Sequence, residues 1–193
     1  MTDTLSLADL MKITGERRRS IQHWTDVGIL KPEPGTTGHG PGVHRAYNSG
    51  EAVYALIAGE LNRRKLPVSE ILSITEALRA TKRAARIAKE GPLSIGLAEQ
   101  VYHDLLLRWA LYGRYPVLLV VNRQPNGVAK MLMHAVGAAH VQLVIGGIRL
   151  SQSWFATPLE RKVLDDRFDL TAADLIRLDR VLAPARHLFA KVE

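Results

Sequence analysis

The chain is 193 residues long and 47% apolar, enough to bury a core in one or two domains. Lys and Arg outnumber Asp and Glu by 26 to 19, and the formal charge of +7 permits a polyanionic partner without requiring one. The absence of cysteine excludes disulfides, thiol catalysis and thiolate metal sites.

Asp3 and Asp9 interrupt the opening segment where a secretory signal would need an uncharged apolar core. The longest apolar runs, such as VLLVV at 117–121, are too short to cross a bilayer, so a cytoplasmic protein is expected. LSLADL at 5–10 reads as a helix start. Ser6 is placed to cap, Asp9 to answer it, and Leu5 and Leu10 to staple the entry. Thr14-Gly15 ends that helix in a tight turn, and Glu16 opens a second helix with Ile21, Trp24, Val27 and Leu30 at core spacing. Arg17, Arg18, Arg19, Gln22 and His23 fall largely on the other faces. Two short helices about a glycine, the second led by arginines, form the pattern of a helix-turn-helix.

KPEPGTTGHGPGVHRAY at 31–47 is too rich in glycine and proline for a helix, and two brief strands with a flexible tip are expected. His44, Arg45 and Tyr47 stand on the returning arm. Asn48 or Ser49 then caps a third helix running to about Lys65, with Ala52, Val53, Leu56, Ile57 and Leu61 inward. It closes on Arg63-Arg64-Lys65, where helix-end electrostatics and phosphate binding explain the charges equally well. Ser69 caps the next helix, with Ile71, Ile74 and Leu78 on one face.

In this order the pieces resemble the DNA-binding domain of the MerR family, a winged helix-turn-helix. The matching elements are Gly15, Arg19, Ile21, His23-Trp24, Gly28-Ile29-Leu30-Lys31-Pro32, His44-Arg45-Ala46-Tyr47 and Val68-Ser69-Glu70-Ile71, within residues 5–78. The resemblance implies that Arg17, Arg18 and Arg19 face a major groove or its flanking phosphates, and that His23 stands where a family aromatic touches the backbone. It places His44 and Arg45 at the wing, with Arg45 reaching phosphates or minor groove and Tyr47 packing or bonding beside it. Arg63 and Arg64 join the candidate DNA-binding set. Arginine suits the task because its planar five-donor fork addresses a guanine edge or a phosphate bidentately. His23 departs from the usual tyrosine, and the wing is longer and richer in glycine than is typical.

Beyond this domain the reading is α+β: linking or dimerisation helices over 79–112, then a small α/β and helical region over 113–193. EALRATKRAARIAKE continues a helix that Gly91-Pro92 breaks, and a further helix carries Leu97, Val101, Leu105 and Trp109. YPVLLVV at 115–121 reads as a buried strand, GVAKMLMHAVGAAH as a helix and VQLVIGG at 141–147 as a second strand, together a β-α-β crossover. A hairpin turning at Pro125-Asn126-Gly127 is the competing reading. LTAADL at 170–175 repeats the LSLADL device and predicts a helix capped by Thr171 and carried on through Leu178 and Val181. A last short helix, PARHLFAKV, follows it.

No phosphate loop and no H-E-x-x-H pattern occurs, His134 and His140 are poorly spaced for one metal, and Asp165, Asp166 and Asp169 lie among Arg161, Lys162 and Arg167 as a salt-bridged surface would. An enzyme, a metal site and a cofactor are therefore not expected. Trp109, Tyr112, Tyr115 and Trp154 could line an apolar effector pocket or simply fill a core. The resemblance implies a homodimeric transcriptional regulator, nucleoid-associated, acting on an inverted repeat in double-stranded DNA, with RNA polymerase as a further partner. The alternative is an architectural, excisionase-like recombination accessory that bends DNA and senses nothing.

Overall fold

A computed structural model of the chain describes residues 4–36, 44–87, 95–123, 129–135, 142–145, 148–151 and 173–189. It is an α+β protein of helices and small antiparallel β pairings, divided into two compact units: residues 1–75 with 181–193, and residues 76–180. Among the described residues no helix is long and apolar enough to cross a membrane.

In the first unit, β1 (Leu5–Ser6) leads directly into α1 (Leu7–Thr14). The capping box forms as the sequence predicts. The Ser6 backbone N–H donates to Asp9 Oδ2 at 2.8 Å and the Asp9 N–H donates to Ser6 Oγ at 3.2 Å, while Leu5 and Leu10 are both buried. Gly15 closes α1 at φ +71, the left-handed region that disfavours any residue with a Cβ, and its N–H returns to the Met11 carbonyl at 2.9 Å. The next helix, α2 (Arg18–Asp26), starts later than expected, because Glu16 belongs to the turn and Arg17 takes the capping position. Ile21 and Trp24 form its buried stripe; Val27 lies past its end and is only half-buried, and Leu30 is buried from the following turn. That turn bends at Gly28, φ +87, so that the Leu30 N–H reaches the Trp24 carbonyl at 3.1 Å.

The arm that follows is rebuilt from the expectation of two strands paired with each other. Its returning strand, β2 (Ala46–Tyr47), pairs antiparallel with β1, Leu5 opposite Tyr47. Lys31–Thr36 is not a strand; it meets the returning arm through the Glu33 N–H on the Ala46 carbonyl at 2.7 Å and the Ala46 N–H on Thr36 Oγ1 at 3.2 Å. Burial explains the choice, since Leu5 and Tyr47 both enter the core when these ends pair. The expected flexible tip, at 37–43, lies outside the described residues.

Asn48 caps α3 (Ser49–Arg63), its side chain accepting from the Glu51 N–H at 3.2 Å. α3 is the core helix, buried on almost every face from Glu51 to Gly59. The Glu51 carboxylate is satisfied there by the Lys31 N–H at 2.8 Å. α4 (Val68–Ile87) begins before Ser69, which is therefore inside the helix and not its cap; Pro67 supplies the first carbonyl, taken by the Glu70 and Ile71 N–H groups at 3.0 Å. The first unit is completed by a 3-10 turn (Ala183–Leu188), which packs on α1 and α3 although the sequence division groups it with 113–193.

The second unit corrects the crossover. After α5 (Ile95–Leu111), β3 (Val117–Arg123) pairs antiparallel with β4 (Ala129–Ala135), so MLMHA is strand where a helix was expected. β5 (Gln142–Ile145) and β6 (Ile148–Ser151) make a second hairpin. Among the described residues every pairing is antiparallel, so these strands need no crossover helix between them. The predicted helix at LTAADL is also absent where it is described. Ala173–Arg177 is β7, paired antiparallel with β3 in a sheet ordered β4-β3-β7, and the helical turn α6 (Leu178–Val181) follows only afterwards. Its expected cap, Thr171, lies outside the described residues. β3 is thus central, with Val117, Leu119 and Val121 fully buried and α5 packed on β3 and β4. Its unbroken apolar run reflects that central place, although Leu118 on the other face is half-buried. The expected break at Gly91-Pro92 falls outside the described residues.

Candidate nucleic-acid interface

The link from α1 to α2 is three residues, Gly15-Glu16-Arg17, and it sets the start of α2 at the surface while Ile21 and Trp24 anchor its other side at 0% and 2% exposure. Arg17, Arg18 and Arg19 are all exposed, and among the described residues none of the three is in an ion pair. Arg17 occupies the N-cap without any side-chain cap bond, and the first turn of α2 holds no acid. Cations are unfavourable at this end of a helix, where unpaired N–H groups already concentrate positive charge. Three arginines and open backbone donors therefore share one small surface, a chemistry that attracts anions.

The other candidates separate into exposed and occupied groups. His23, on α2, and His44, on the arm, are exposed. Arg45 is held by Asp26 at the end of α2, Nη2 to Oδ1 at 2.9 Å. Tyr47 is fully buried, and its hydroxyl meets Thr25 Oγ1 at 2.9 Å, so it is a core anchor that locks the arm to α2 and offers no contact surface. Thr25–Tyr47 and Asp26–Arg45 together join the last turn of α2 to the returning arm.

Arg63 and Arg64 have partners of their own. Arg63 contacts Glu60 at 3.2 Å and Glu16 at 3.3 Å, and Arg64 contacts Glu60 at 2.9 Å. Glu16 lies across Gly59, where an added Cβ would meet its Oε1 at 3.1 Å. Arg63 thereby ties the end of α3 to the turn between α1 and α2, while the Arg64 contact with Glu60 stays at the end of α3. Sequence reading missed both Glu16 and Asp26 as partners. The available signal was Asp26 itself, an acid at a helix C-terminus where the dipole favours a base.

Of the four aromatics proposed for an effector, Trp109 and Tyr115 come together, ring centroids 4.9 Å apart and tilted by 52°, with Trp109 buried. Tyr112 is 56% exposed and does not join them in a closed pocket, and Trp154 lies outside the described residues. On the same helix Asp104 is buried beside Arg108 at 2.8 Å; burial pushes its carboxyl above the usual range, against the pull of Arg108. In the first unit a cleft of about 300 Å3 opens between α1 and the 3-10 turn, lined by Leu5, Lys12, Ile13, Pro184 and His187 among others. Among the described residues no three His, Asp or Glu side chains are grouped to hold a metal.

The chain matches no protein-family model, and a search of curated proteins finds no significant similarity.

Proposed function

We propose that the N-terminal unit is a winged helix-turn-helix of MerR type that binds duplex DNA, and that the chain acts as a homodimeric, sequence-specific transcriptional regulator. The observation that carries this reading is the Arg17-Arg18-Arg19 cluster, exposed and without counter-ions among the described residues at the uncapped start of α2. Local helix physics gives no reason for it, whereas a phosphate row would neutralise both the arginines and the open N–H groups. The arm bearing His44 and Arg45 is fastened to the same helix, so a groove contact by α2 and a backbone contact by the arm would be made together.

One such module buries about 600–1,000 Å2 on DNA, and two-fold symmetry would double both contact and operator length. An inverted-repeat operator and an encounter with RNA polymerase follow from the MerR resemblance. In an effector-responsive version, Trp109 and Tyr115 mark the aromatic lining.

Chromatin immunoprecipitation from the native host tests the reading first, with enrichment at a few promoters expected. Diffuse coverage, or a single attachment site, would favour the DNA-bending architectural reading. On the operator so found, Arg19→Ala is expected to lower affinity more than about 10-fold and to flatten the preference over random duplex, as loss of a base-reading arginine does. Equal loss on both duplexes would reassign Arg19 to phosphate, and no loss on either would remove α2 from the interface.

A further inference from the structure

The last residue of α2 is Asp26, an acid placed where the helix already ends in partial negative charge. Its carboxylate is taken by Arg45 at 2.9 Å, and the two partners are unequally covered: the Arg45 side chain is 16% exposed and that of Asp26 is 52% exposed. The member of the pair turned to solvent is therefore the anion. One residue earlier, Thr25 Oγ1 and Tyr47 Oη meet at 2.9 Å and hold the same helix end to the same arm. The arm thus has a second anchor that carries no charge.

We infer that Asp26 is an electrostatic gate on Arg45, occupying its guanidinium in the free protein and giving it up only to a phosphate held in place by contacts elsewhere. This rests on the DNA-binding reading above and adds to it a residue that sets specificity. The exchange is feasible because the Asp26 side of the pair is open to solvent, and a guanidinium with five donors can pass from carboxylate to phosphate without losing a partner. After the exchange Asp26 is left as a like charge beside a polyanion. A duplex that fits the rest of the surface overcomes that repulsion, and one held loosely does not. Asp26 therefore suppresses binding to arbitrary sequence more than binding to the operator.

Asp26→Asn preserves shape and removes the charge, and it suits a helix end. Binding is read by anisotropy on a labelled mixed-sequence duplex of about 30 base pairs across a salt series. Asp26→Asn is expected to bind about 3–10-fold more tightly than the wild-type chain, with a salt slope steeper by about one ion. In an Arg45→Gln background the same change is expected to gain less than about 2-fold, since the gate then has nothing to hold. Weaker or unchanged binding by Asp26→Asn overturns the inference and makes Asp26 a support for Arg45 or a bystander. An equal gain in both backgrounds overturns it too, leaving only a net-charge effect. Asp26→Ser gives the same readout should the Asn variant fail to fold. If the wild-type chain binds neither this duplex nor any genomic site, the DNA-binding reading itself falls, a result obtained before any variant is compared.

Discussion

Two stretches of this chain carry nearly the same six letters and fold differently. LSLADL at 5–10 and LTAADL at 170–175 each place a hydroxyl three residues before an aspartate, with leucines flanking both. The first forms a reciprocal capping box and starts α1. In the second, Ala173–Arg177 is strand β7, and exposure alternates from 45% at Leu175 to 1% at Ile176. A cap contributes about 1 kcal/mol, so it decides the structure only where nothing larger competes. Near residue 175 something larger is present: a five-residue ladder on β3 and burial of Ile176 against the sheet. Local signals are read correctly in proportion to how little the rest of the chain opposes them.

The strongest way to break this comparison is to remove what is held to override the cap. Ile176→Ala leaves a cavity beneath the central strand and is expected to destabilise the second unit by about 2–4 kcal/mol, read as a shift of the urea midpoint by circular dichroism. A cost below about 1 kcal/mol would mean that 173–177 is not docked as a strand, and the contrast between the two hexapeptides would lose its cause.

The same contrast explains what was legible in the sequence. In the first unit the elements follow one another with strong local punctuation. The Ser6 cap, the Gly15 turn, the Asn48 cap and the stripes Ile21-Trp24 and Ile71-Ile74 all appear where the local pattern puts them. Apart from the start of α2 and the Ser69 cap, what failed there was non-local. That Tyr47 pairs with Leu5 across 42 positions, or that Arg45 is held by Asp26, depends on how the arm folds back, and no local pattern encodes it. In the second unit the decisive contacts are non-local throughout. VLLVVNR is a strand as its composition says, with Val117, Leu119 and Val121 buried, but whether AKMLMHA beside it is helix or strand turns on which partner β3 accepts. The hairpin reading had the better local argument, because Pro-Asn-Gly is a strong turn and Met131, Met133 and Ala135 alternate. Among the site residues, exposure of the three arginines followed from the helical stripe opposite them. The pairing of Arg63 and Arg64 with Glu60 could have been read from the i,i+3 and i,i+4 spacing.

The smaller effects sharpen the comparison by touching the two aspartates alone. Asp9→Ala deletes one side of a working capping box and is expected to cost about 1 kcal/mol near neutral pH. Its pH dependence has a definite sign. Hydrogen bonds from the Ser6 side chain and then the Ser6 backbone hold the Asp9 carboxyl below its ordinary value, with burial opposing and Lys12 assisting. A carboxylate whose folded value is depressed contributes its stability in full above the unfolded value of about 4, and that contribution disappears as pH falls through the lowered folded value. The gap between wild type and Asp9→Ala should therefore be constant from neutral pH down to about 5 and close in stronger acid. Asp174→Ala makes the matching cut in LTAADL. Because residue 174 lies within a strand opposite Val121 and not at the third position of a helix, the expected change is within about 0.5 kcal/mol. Equal costs for the two aspartates would show that the second hexapeptide does cap a helix in solution, and that 173–177 does not pair with β3 there.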